Sequence, residues 1–237
     1  MKLNFKHRSS LPELMDDPNL PKEQLNVALK DITKVNRFLG GNQITVAGIR
    51  KLMQSQPEKK VWSIVDVGCG DGEMLRHIAV TFAKSTYTLH LKGVDINKES
   101  IKMAQELSED FKNVHYDVVD ILKITPEALP CDILLCNLTM HHFSDPEIHI
   151  FLAKFYKLAT VGVVINDLHR SVIAYQLFRG FSRIFMKSPI ARHDGRISIA
   201  RGFRMEELKR FSQHLGFKSD FIRWKWAFRY LWVIKKI

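Results

Sequence analysis

The sequence predicts an α/β fold built on a mostly parallel sheet. Within residues 61–168, five short apolar segments alternate with segments of helical periodicity. Strands that are apolar on both faces are typical of a parallel sheet covered by helices on both sides. Each apolar segment ends in polar residues, and ligands bind beyond the carboxyl ends of strands in open sheets of this kind. The five strand ends therefore indicate one shared site.

The first apolar segment ends in three glycines at alternate positions. Ile64–Val67 is predicted to be a buried strand, and Gly68, Gly70 and Gly72 precede a helix that begins near Glu73. Glycine adopts backbone conformations closed to other residues and leaves room for a ligand at the positive end of the helix. A dinucleotide site would need glycine at position 73, and a P-loop would need Lys followed by Ser or Thr. The spacing excludes both of these nucleotide-binding motifs.

The segment Asp66–Gly72 resembles the first motif of the class I S-adenosylmethionine-dependent methyltransferases. The resemblance covers roughly residues 61–237 and is closer to quinone and other small-molecule methyltransferases, in which His-His-Phe after the fourth strand and Asp-Leu-His-Arg after the fifth are familiar. It implies a seven-stranded Rossmann-like sheet that closes with an antiparallel hairpin, for which residues 218–224 and 227–234 are available. It also implies S-adenosylmethionine as the cofactor.

The strand ends and the resemblance together define candidate cofactor-binding residues. Asp95 ends the second strand, where a carboxylate can accept hydrogen bonds from ribose hydroxyls, or it caps the helix that starts at Lys98. In the family, a carboxylate and an apolar residue after the third strand meet the adenine, which implies Asp120 and Ile121, with Asp117 as the weaker candidate. The predicted set is Asp66, Gly68, Cys69, Gly70, Asp71, Gly72, Asp95, Ile96, Asp120, Ile121 and Asn137.

Three histidines are candidate catalytic bases. Methyl transfer to a hydroxyl, or to a carbon beside a phenolate, needs a base, and histidine is suited to neutral pH. His142, His169 and His141 lie at strand ends, and the first two are preferred. Asn137 is not followed by the Pro-Pro-aromatic sequence of amino-methylating relatives, which argues against methylation of an exocyclic base nitrogen. No metal site is predicted, because no dense cluster of ligands follows the fourth strand.

Residues 1–58 are predicted to form a helical extension before a methyltransferase domain at 59–237. Apolar residues recur at intervals of three and four residues between Leu25 and Leu39, which predicts a helix that ends at Gly40–Gly41. A second helix is expected at 44–53. The pair either packs on the sheet edge or closes as a lid over the pocket. Ser9, Ser10, Glu13 and Asp16–Asp17 are positioned in the chain so that they could face the pocket.

An insert at about 170–204 follows the fifth strand. Its first half is a strongly apolar helix that breaks near Ser188–Pro189, and its apolar face is predicted to form the wall of the substrate pocket. Residues 192–198 are expected to form a polar turn that contacts the acceptor's hydroxyls. This interpretation favours a lipophilic or aromatic acceptor such as a phenol, a quinol or a polyketide-like molecule, with methylation on oxygen or carbon.

The charge of the chain is concentrated at its end. Residues 1–169 contain 20 Lys and Arg against 21 Asp and Glu, whereas residues 170–237 contain 16 against 4 and 13 of the 24 aromatic residues. This pattern suits an acidic carrier protein, an anionic membrane surface or, less strongly, nucleic acid, unless the aromatic residues are simply core. Two alternatives to a small-molecule enzyme therefore stay open: an RNA methyltransferase and a non-catalytic binding protein.

Cysteine usage and hydropathy indicate a reducing compartment. The three cysteines lack C-x-x-C spacing, and neither a signal peptide nor an apolar run of about 18 residues is present. The expected location is the cytoplasm, with peripheral attachment to a membrane as an alternative.

Overall fold

The computed structural model describes residues 4–17, 19–125, 128–218 and 220–236, which form a seven-stranded sheet with helices on both faces. The strands are β1 (Val61–Val67), β2 (Thr88–Asp95), β3 (Val114–Val118), β4 (Cys131–Asn137), β5 (Ala159–Leu168), β6 (Asp220–Lys225) and β7 (Arg229–Lys235). Their order is β3-β2-β1-β4-β5-β7-β6. Strands β1 to β5 are parallel, and β7 pairs antiparallel with both β5 and β6. The predicted fold class is confirmed.

Eight α-helices are found among the described residues. They are α1 (Lys22–Phe38), α2 (Gly41–Met53), α3 (Glu73–Phe82), α4 (Lys98–Leu107), α5 (Asp145–Leu158), α6 (Val172–Phe185), α7 (Pro189–Arg201) and α8 (Met205–His214), with short 3-10 turns at Leu14–Asp16 and Met140–His142. None of them, within the ranges given above, has both the length and the apolar composition needed to cross a membrane.

Two apolar cores separate the helices into layers. One face of the sheet is covered by α2, α3 and α4, through buried residues such as Ile49, Leu75 and Ile101. The other face is covered by α5 and α8, through residues such as Phe151 and Leu208. Burial on both faces explains why the central strands are almost continuously apolar. All polar strand ends consequently meet at one edge of the sheet.

Strand β5 is longer than the sequence indicates. Asn166 and Asp167 were expected just beyond it, but the strand continues to Leu168, because β7 pairs with it down to the partners Leu168 and Arg229. The antiparallel hairpin is the long-range contact that extends it. As a result, Asn166 and Asp167 are buried and held rigidly.

The helices before β1 differ from their predicted bounds at one point. Gly40 has a φ of 72° and connects α1 to α2, so the second helix begins at Gly41 rather than near residue 44. Helix α2 packs on β5 and β7, whereas α1 lies against α7. The proposed division of the chain at residue 58 stays a prediction.

One expectation about the insert is wrong, and another stays a prediction. Residues 192–198 lie inside α7, because the Ser188 hydroxyl accepts a hydrogen bond from the Ala191 amide and Pro189 suits the first helical turn. The large apolar residues of α6 lie mostly at the surface, with Ile173 65% and Ile184 77% exposed. The residues of α6 that are buried are small, and Val172 and Ile173 line an open cavity together with His169, so the predicted substrate wall stays a prediction.

Candidate functional site

The turn between β1 and α3 leaves one side open to a ligand. Gly68, Gly70 and Gly72 have φ angles of 72°, 54° and 76°, in the left-handed region that favours glycine. A Cβ at Gly68 or Gly72 would overlap a neighbouring side chain. At Gly70 the nearest atom to such a Cβ is Leu29 Cδ2, 4.0 Å away. The outer glycines therefore pack the turn, and Gly70 provides the surface that a ligand can approach.

Asp95 lies beside this turn at the end of β2. Its Oδ2 accepts a hydrogen bond from the Gly70 amide at 3.0 Å, and its Oδ1 accepts one from the Asn97 amide at 2.9 Å. The alternative role of Asp95 as a helix cap is wrong, because the Asn97 side chain is the residue that caps α4. Ile96 is exposed at the same edge. The position of Asp95 suits a ligand that spans the glycine turn.

Two carboxylates at the end of β3, Asp117 and Asp120, are candidates for contact with the adenine. Asp120 lies beyond the end of β3, half-buried, and pairs with Lys123 at 2.9 Å, which lowers the pKa of the carboxyl. Ile121 beside it is buried. Asp117 lies one residue before the end of β3, opposite Val94 of β2, and its exposed side chain forms an ion pair with Lys92. Both carboxylates are thus close to the end of β2, and the preference for Asp120 stays a prediction.

Two further carboxylates lie under the glycine turn. Asp66 is 1% exposed, and burial raises its pKa to about 7, although the Asn137 amide donates to it at 3.0 Å. Burial also raises the pKa of Asp71, which accepts a hydrogen bond from Thr33 of α1. The Cys69 thiol lies against Gly93 in the core, so only its backbone faces the turn.

Helix α1 covers this part of the site. In addition to the bond from Thr33 to Asp71 at 3.1 Å, Arg37 forms an ion pair with Glu73 at 2.6 Å. These contacts place α1 over the glycine turn, as a lid would be placed. Whether it opens and closes stays a prediction.

A chain of buried polar side chains connects β1 to β5. The Asn137 side chain accepts a hydrogen bond from the Thr45 hydroxyl of α2, and that hydroxyl accepts one from the Asn166 amide at 3.0 Å. Asn166 also donates to the Gly41 carbonyl at 2.9 Å. Thr45 carried no sequence signal, because a threonine in an amphipathic helix is unremarkable without its tertiary neighbours.

His141 is held between two buried carboxylates. Its Nδ1 lies 2.7 Å from Asp167 Oδ1, and its Nε2 lies 3.6 Å from Glu13 Oε1. Burial alone would lower the pKa of His141, but Asp167 and Glu13 outweigh it and raise the pKa to about 9. At neutral pH this imidazole is therefore protonated, and it binds the N-terminal segment to β5.

His142 is adjacent and more accessible. Its Nε2 lies 3.9 Å from Glu13 Oε2, and its Nδ1 lies 3.4 Å from Asp16 Oδ1. Of the N-terminal residues expected to face the pocket, Glu13 and Asp16 are thus brought to the histidines. The ligand atoms of Glu13, His141 and His142 all lie within 4.8 Å of one another, a grouping that could hold a metal ion and that the sequence did not indicate. The predicted absence of a metal stays a prediction.

Arginines hold Glu13, His141, His142 and Asp167, hereafter the histidine cluster, in place. Arg201 of α7 donates to the carbonyls of His141 and His142, and Arg8 donates to the carbonyl of His141 at 3.0 Å. Because carbonyl oxygens accept and guanidinium groups only donate, these contacts hold the backbone of the two histidines and do not involve their imidazole rings.

His169 lies apart from the histidine cluster. Its Nδ1 accepts a hydrogen bond from the Trp224 indole at 3.2 Å, and burial lowers its pKa. It lines an open cavity of about 410 Å³ together with residues that include Tyr230 and Arg204. The structure therefore does not bring His169 together with the other two predicted bases.

The residues present fit S-adenosylmethionine. The open side of Gly70 offers the close backbone approach, and Asp95 can accept hydrogen bonds from ribose hydroxyls. The buried carboxyl groups of Asp66 and Asp71 lie below the turn, where a bound ammonium group would favour their charged form. The end of β4, where His142 lies, borders the same turn through the bond between Asn137 and Asp66. A seven-stranded sheet of this order with this site defines a class I methyltransferase fold.

Comparison with known proteins agrees. Residues 64–162 match the protein family described as "Methyltransferase domain". This family model, the similar proteins and the structural neighbours are class I S-adenosylmethionine-dependent methyltransferases, so the predicted resemblance and cofactor are confirmed.

Three similar proteins illustrate the range of this class. The chain is 30% identical to ajmaline N-methyltransferase of Rauvolfia serpentina over 49% of its own length and 40% of that protein's. It is 26% identical to a ubiquinone biosynthesis O-methyltransferase of Coxiella burnetii over 71% of its length and 68% of that protein's. The plantazolicin methyltransferase BpumL, solved with SAH, has the same fold, with a TM-score of 0.66, 14% identity and coverage of 91% of this chain and 96% of that chain.

Proposed function

We propose that this protein transfers a methyl group from S-adenosylmethionine to oxygen or carbon of a small lipophilic or aromatic acceptor, such as a phenol, a quinol or a polyketide-like molecule. The observation that carries the proposal is the histidine cluster, which lies at the ends of β4 and β5 on the same edge as the glycine turn. A base at this edge suits an acceptor that must lose a proton.

His142 is the proposed base. His141 is protonated at neutral pH, because Asp167 and Glu13 raise its pKa to about 9, so it has no free electron pair for a proton. His169 lies in a different cavity, bound to Trp224. His142 is partly exposed and has carboxylates of Glu13 and Asp16 beside it, which stabilise the imidazolium that forms.

The protein's part in the reaction is alignment and proton removal. When bound, the cofactor supplies an electrophilic methyl group on a sulfonium. His142 would take the proton of the acceptor hydroxyl, which would leave the acceptor oxygen, or the carbon conjugated with it, nucleophilic enough to accept that methyl group. The buried carboxylates Asp66 and Asp71 and the turn at Gly70 hold the donor in place, which accounts for much of the rate by proximity.

The relatives support the acceptor class. Two of them carry the names ajmaline N-methyltransferase and ubiquinone biosynthesis O-methyltransferase, and both names describe small-molecule acceptors. The sequence after Asn137 lacks the Pro-Pro-aromatic motif, which argues against exocyclic base nitrogens.

Calorimetry and methyl transfer test the proposal. Titration with S-adenosylhomocysteine should show binding, and Asp95→Ala should weaken it. Labelled methyl from S-adenosylmethionine should then enter a panel of catechols and hydroquinones. Absence of cofactor binding in the wild type contradicts the proposal, and binding without transfer to any acceptor class favours the non-catalytic alternative.

An RNA methyltransferase is the second candidate, and the basic segment favours it. Residues 170–237 contain 16 Lys and Arg against 4 Asp and Glu. Bulk RNA should bind with steep dependence on salt if phosphates are contacted, and weakly or not at all if the acceptor is small and lipophilic. Methyl incorporation into RNA rather than into phenols would favour this candidate.

Peripheral contact with an anionic membrane is a further part of the proposal, with an acidic carrier protein as the alternative partner. Exposed Ile173 and Ile184 of α6 lie on a helix that also exposes Arg179 and Arg183, a combination typical of interfacial helices. Ile184→Ser should weaken binding to phosphatidylserine vesicles, and the exposed Ile150 of α5, changed to Ser, is the matched control. Equal binding by both variants would argue against α6 as the contact.

A further inference from the structure

Arg229 is a buried arginine, two of whose guanidinium nitrogens have no hydrogen-bond partner within the part of the chain that the structure describes. It begins β7 opposite Leu168, at the carboxyl edge of β5. Only 4% of the residue is exposed, and its Nε and Nη1 have no hydrogen-bond partner among the described residues. Burial lowers its pKa to about 10, which still leaves it charged at neutral pH. A buried charge without a counterion is costly, so a group that pairs with it is expected.

The N-terminus of α2 lies against this guanidinium. The Arg229 Cζ is 3.2 Å from the position that a Cβ of Gly41 would occupy, and Gly41 is the first residue of α2. Gly40 at the helix cap has no side chain to accept from the first-turn amides. A helix N-terminus carries partial positive charge and unpaired N–H groups. Two positive features that would repel each other are therefore placed together, and an anion would satisfy both.

Two buried acceptor atoms surround the same glycine. Asn36 Oδ1 and Asn166 Oδ1 have no hydrogen-bond partner among the residues described. The Asn166 amide nitrogen donates to the Gly41 carbonyl, which only accepts, so the orientation of this side chain is determined. The Asn36 nitrogen donates to Asn42, whose own nitrogen is directed to Glu73. Asn36 Oδ1 lies against the same side of Gly41 as the Arg229 guanidinium, and both oxygens can accept hydrogen bonds from hydroxyl or N–H donors.

The site lies on the acceptor side of the sheet. Arg229 is on β7, and β4 and β5 separate it from β1, which leads into the glycine turn. Three strand spacings amount to about 14 Å. Asp167, which holds His141, is in β5 beside Arg229, and its carboxylate partly counteracts the effect of burial on the guanidinium. Arg229 is thus a neighbour of the histidine cluster rather than of the cofactor turn.

We propose that Arg229 and the N-terminus of α2 bind an anionic oxygen group of the acceptor, a carboxylate or a phenolate, while Asn36 and Asn166 accept hydrogen bonds from its hydroxyl groups. This inference rests on the proposed function and narrows it: the acceptor is a hydroxylated aromatic acid or acidic phenol. Neutral analogues are discriminated against, because they leave the buried guanidinium unpaired.

The test compares sodium benzoate with its neutral isostere benzamide in the presence of saturating S-adenosylhomocysteine. Calorimetry on the wild type should show at least about tenfold tighter binding of benzoate. Arg229→Gln should abolish this preference, and Arg229→Lys, which keeps the charge, should retain part of it. Arg223→Gln is the matched control, because Arg223 is exposed on the neighbouring strand β6. Thermal unfolding confirms that each variant is folded.

Several outcomes overturn the inference. Equal affinities of the wild type for benzoate and benzamide, no binding of benzoate at millimolar concentration, or an unchanged preference in Arg229→Gln would each do so. Loss of S-adenosylhomocysteine affinity in Arg229→Gln would instead assign the arginine to the cofactor and also contradict the proposal. Failure of S-adenosylhomocysteine to bind the wild type, with the benzoate preference intact, contradicts the proposed methyl transfer but not the anion site.

Discussion

The cofactor half of the sheet and its acceptor half are assembled differently. In β1, β2 and β3, the candidate residues follow consecutive strand ends, and neighbouring loops contact one another, as Asp95 contacts Gly70. In β4, β5 and β7, the site depends on segments distant in the chain. The Leu14 amide, for example, bonds to Asp194, 180 positions away, and this contact holds Glu13 near the histidines.

These two ways of assembly separate the binding of the cofactor from the choice of acceptor. A turn that must accommodate one cofactor can be encoded in a short motif, because strand, turn and helix are adjacent in the chain. The acceptor side is built from the N-terminal segment, the insert and the hairpin. Segments of this kind can vary in sequence and length while the sheet stays the same. The two halves should therefore respond separately to substitution.

Removal of the proposed base should have the largest effect, and it should lower activity without changing cofactor affinity. His142→Asn should lower kcat by about a hundredfold to ten-thousandfold, the usual contribution of a general base. The affinity for S-adenosylhomocysteine, measured by calorimetry, should be unchanged, because His142 lies on the acceptor side. His169→Asn is the control and should change kcat little. An equal loss in both variants would contradict the assignment of His142.

The next largest effect is the pH dependence of the free energy of unfolding, which should differ between the two halves. The folded pKa of His141, about 9, exceeds the unfolded value of 6.5, so its stabilisation is complete below pH 6.5 and is lost as pH rises through 9. The loss is on the order of 3 kcal/mol. The pKa of Asp66 is raised from 3.8 to about 7, so the folded state favours its protonated form. Its contribution to the free energy of unfolding is therefore greatest below pH 3.8 and is lost as the pH rises to about 7.

Urea unfolding across pH measures both windows. His141→Gln should flatten the alkaline part of the profile alone, and Asp66→Asn the acidic part alone. A profile in which one variant flattened both parts would show that the halves are electrostatically coupled.

The smallest expected effect concerns the cofactor half alone. Gly70→Asn should weaken binding of S-adenosylhomocysteine tenfold to about a hundredfold, because the new side chain fills the open side of the turn. Asparagine tolerates positive φ better than most residues, so strain is kept low. Gly40→Asn is the matched control, since Gly40 has a φ of 72° and no atom within 4 Å of a Cβ. Equal affinity of the Gly70 variant and the wild type would contradict the predicted approach.

Sequence reasoning succeeded where short segments determine structure. Strand and helix periodicity predicted the parallel sheet, the family resemblance implied its antiparallel hairpin, and the spacing of the glycines excluded dinucleotide and P-loop motifs. It failed for the insert, where residues 192–198 were expected to be a turn but lie in α7. The polar composition of this segment suggested a loop. In the structure, the buried Asp194 side chain accepts hydrogen bonds from two backbone amides of the N-terminal segment and anchors the helix.

The fold class, the family resemblance and the position of the glycine turn can be read from short stretches of the chain, because each depends on residues close together in it. Long-range folding brings Glu13 to His141, keeps His169 apart from them, and puts the Arg229 guanidinium against the first residue of α2. These contacts join segments that have no local signal for one another. Their energies come from burial and charge, which exist only once the sheet has brought the segments together.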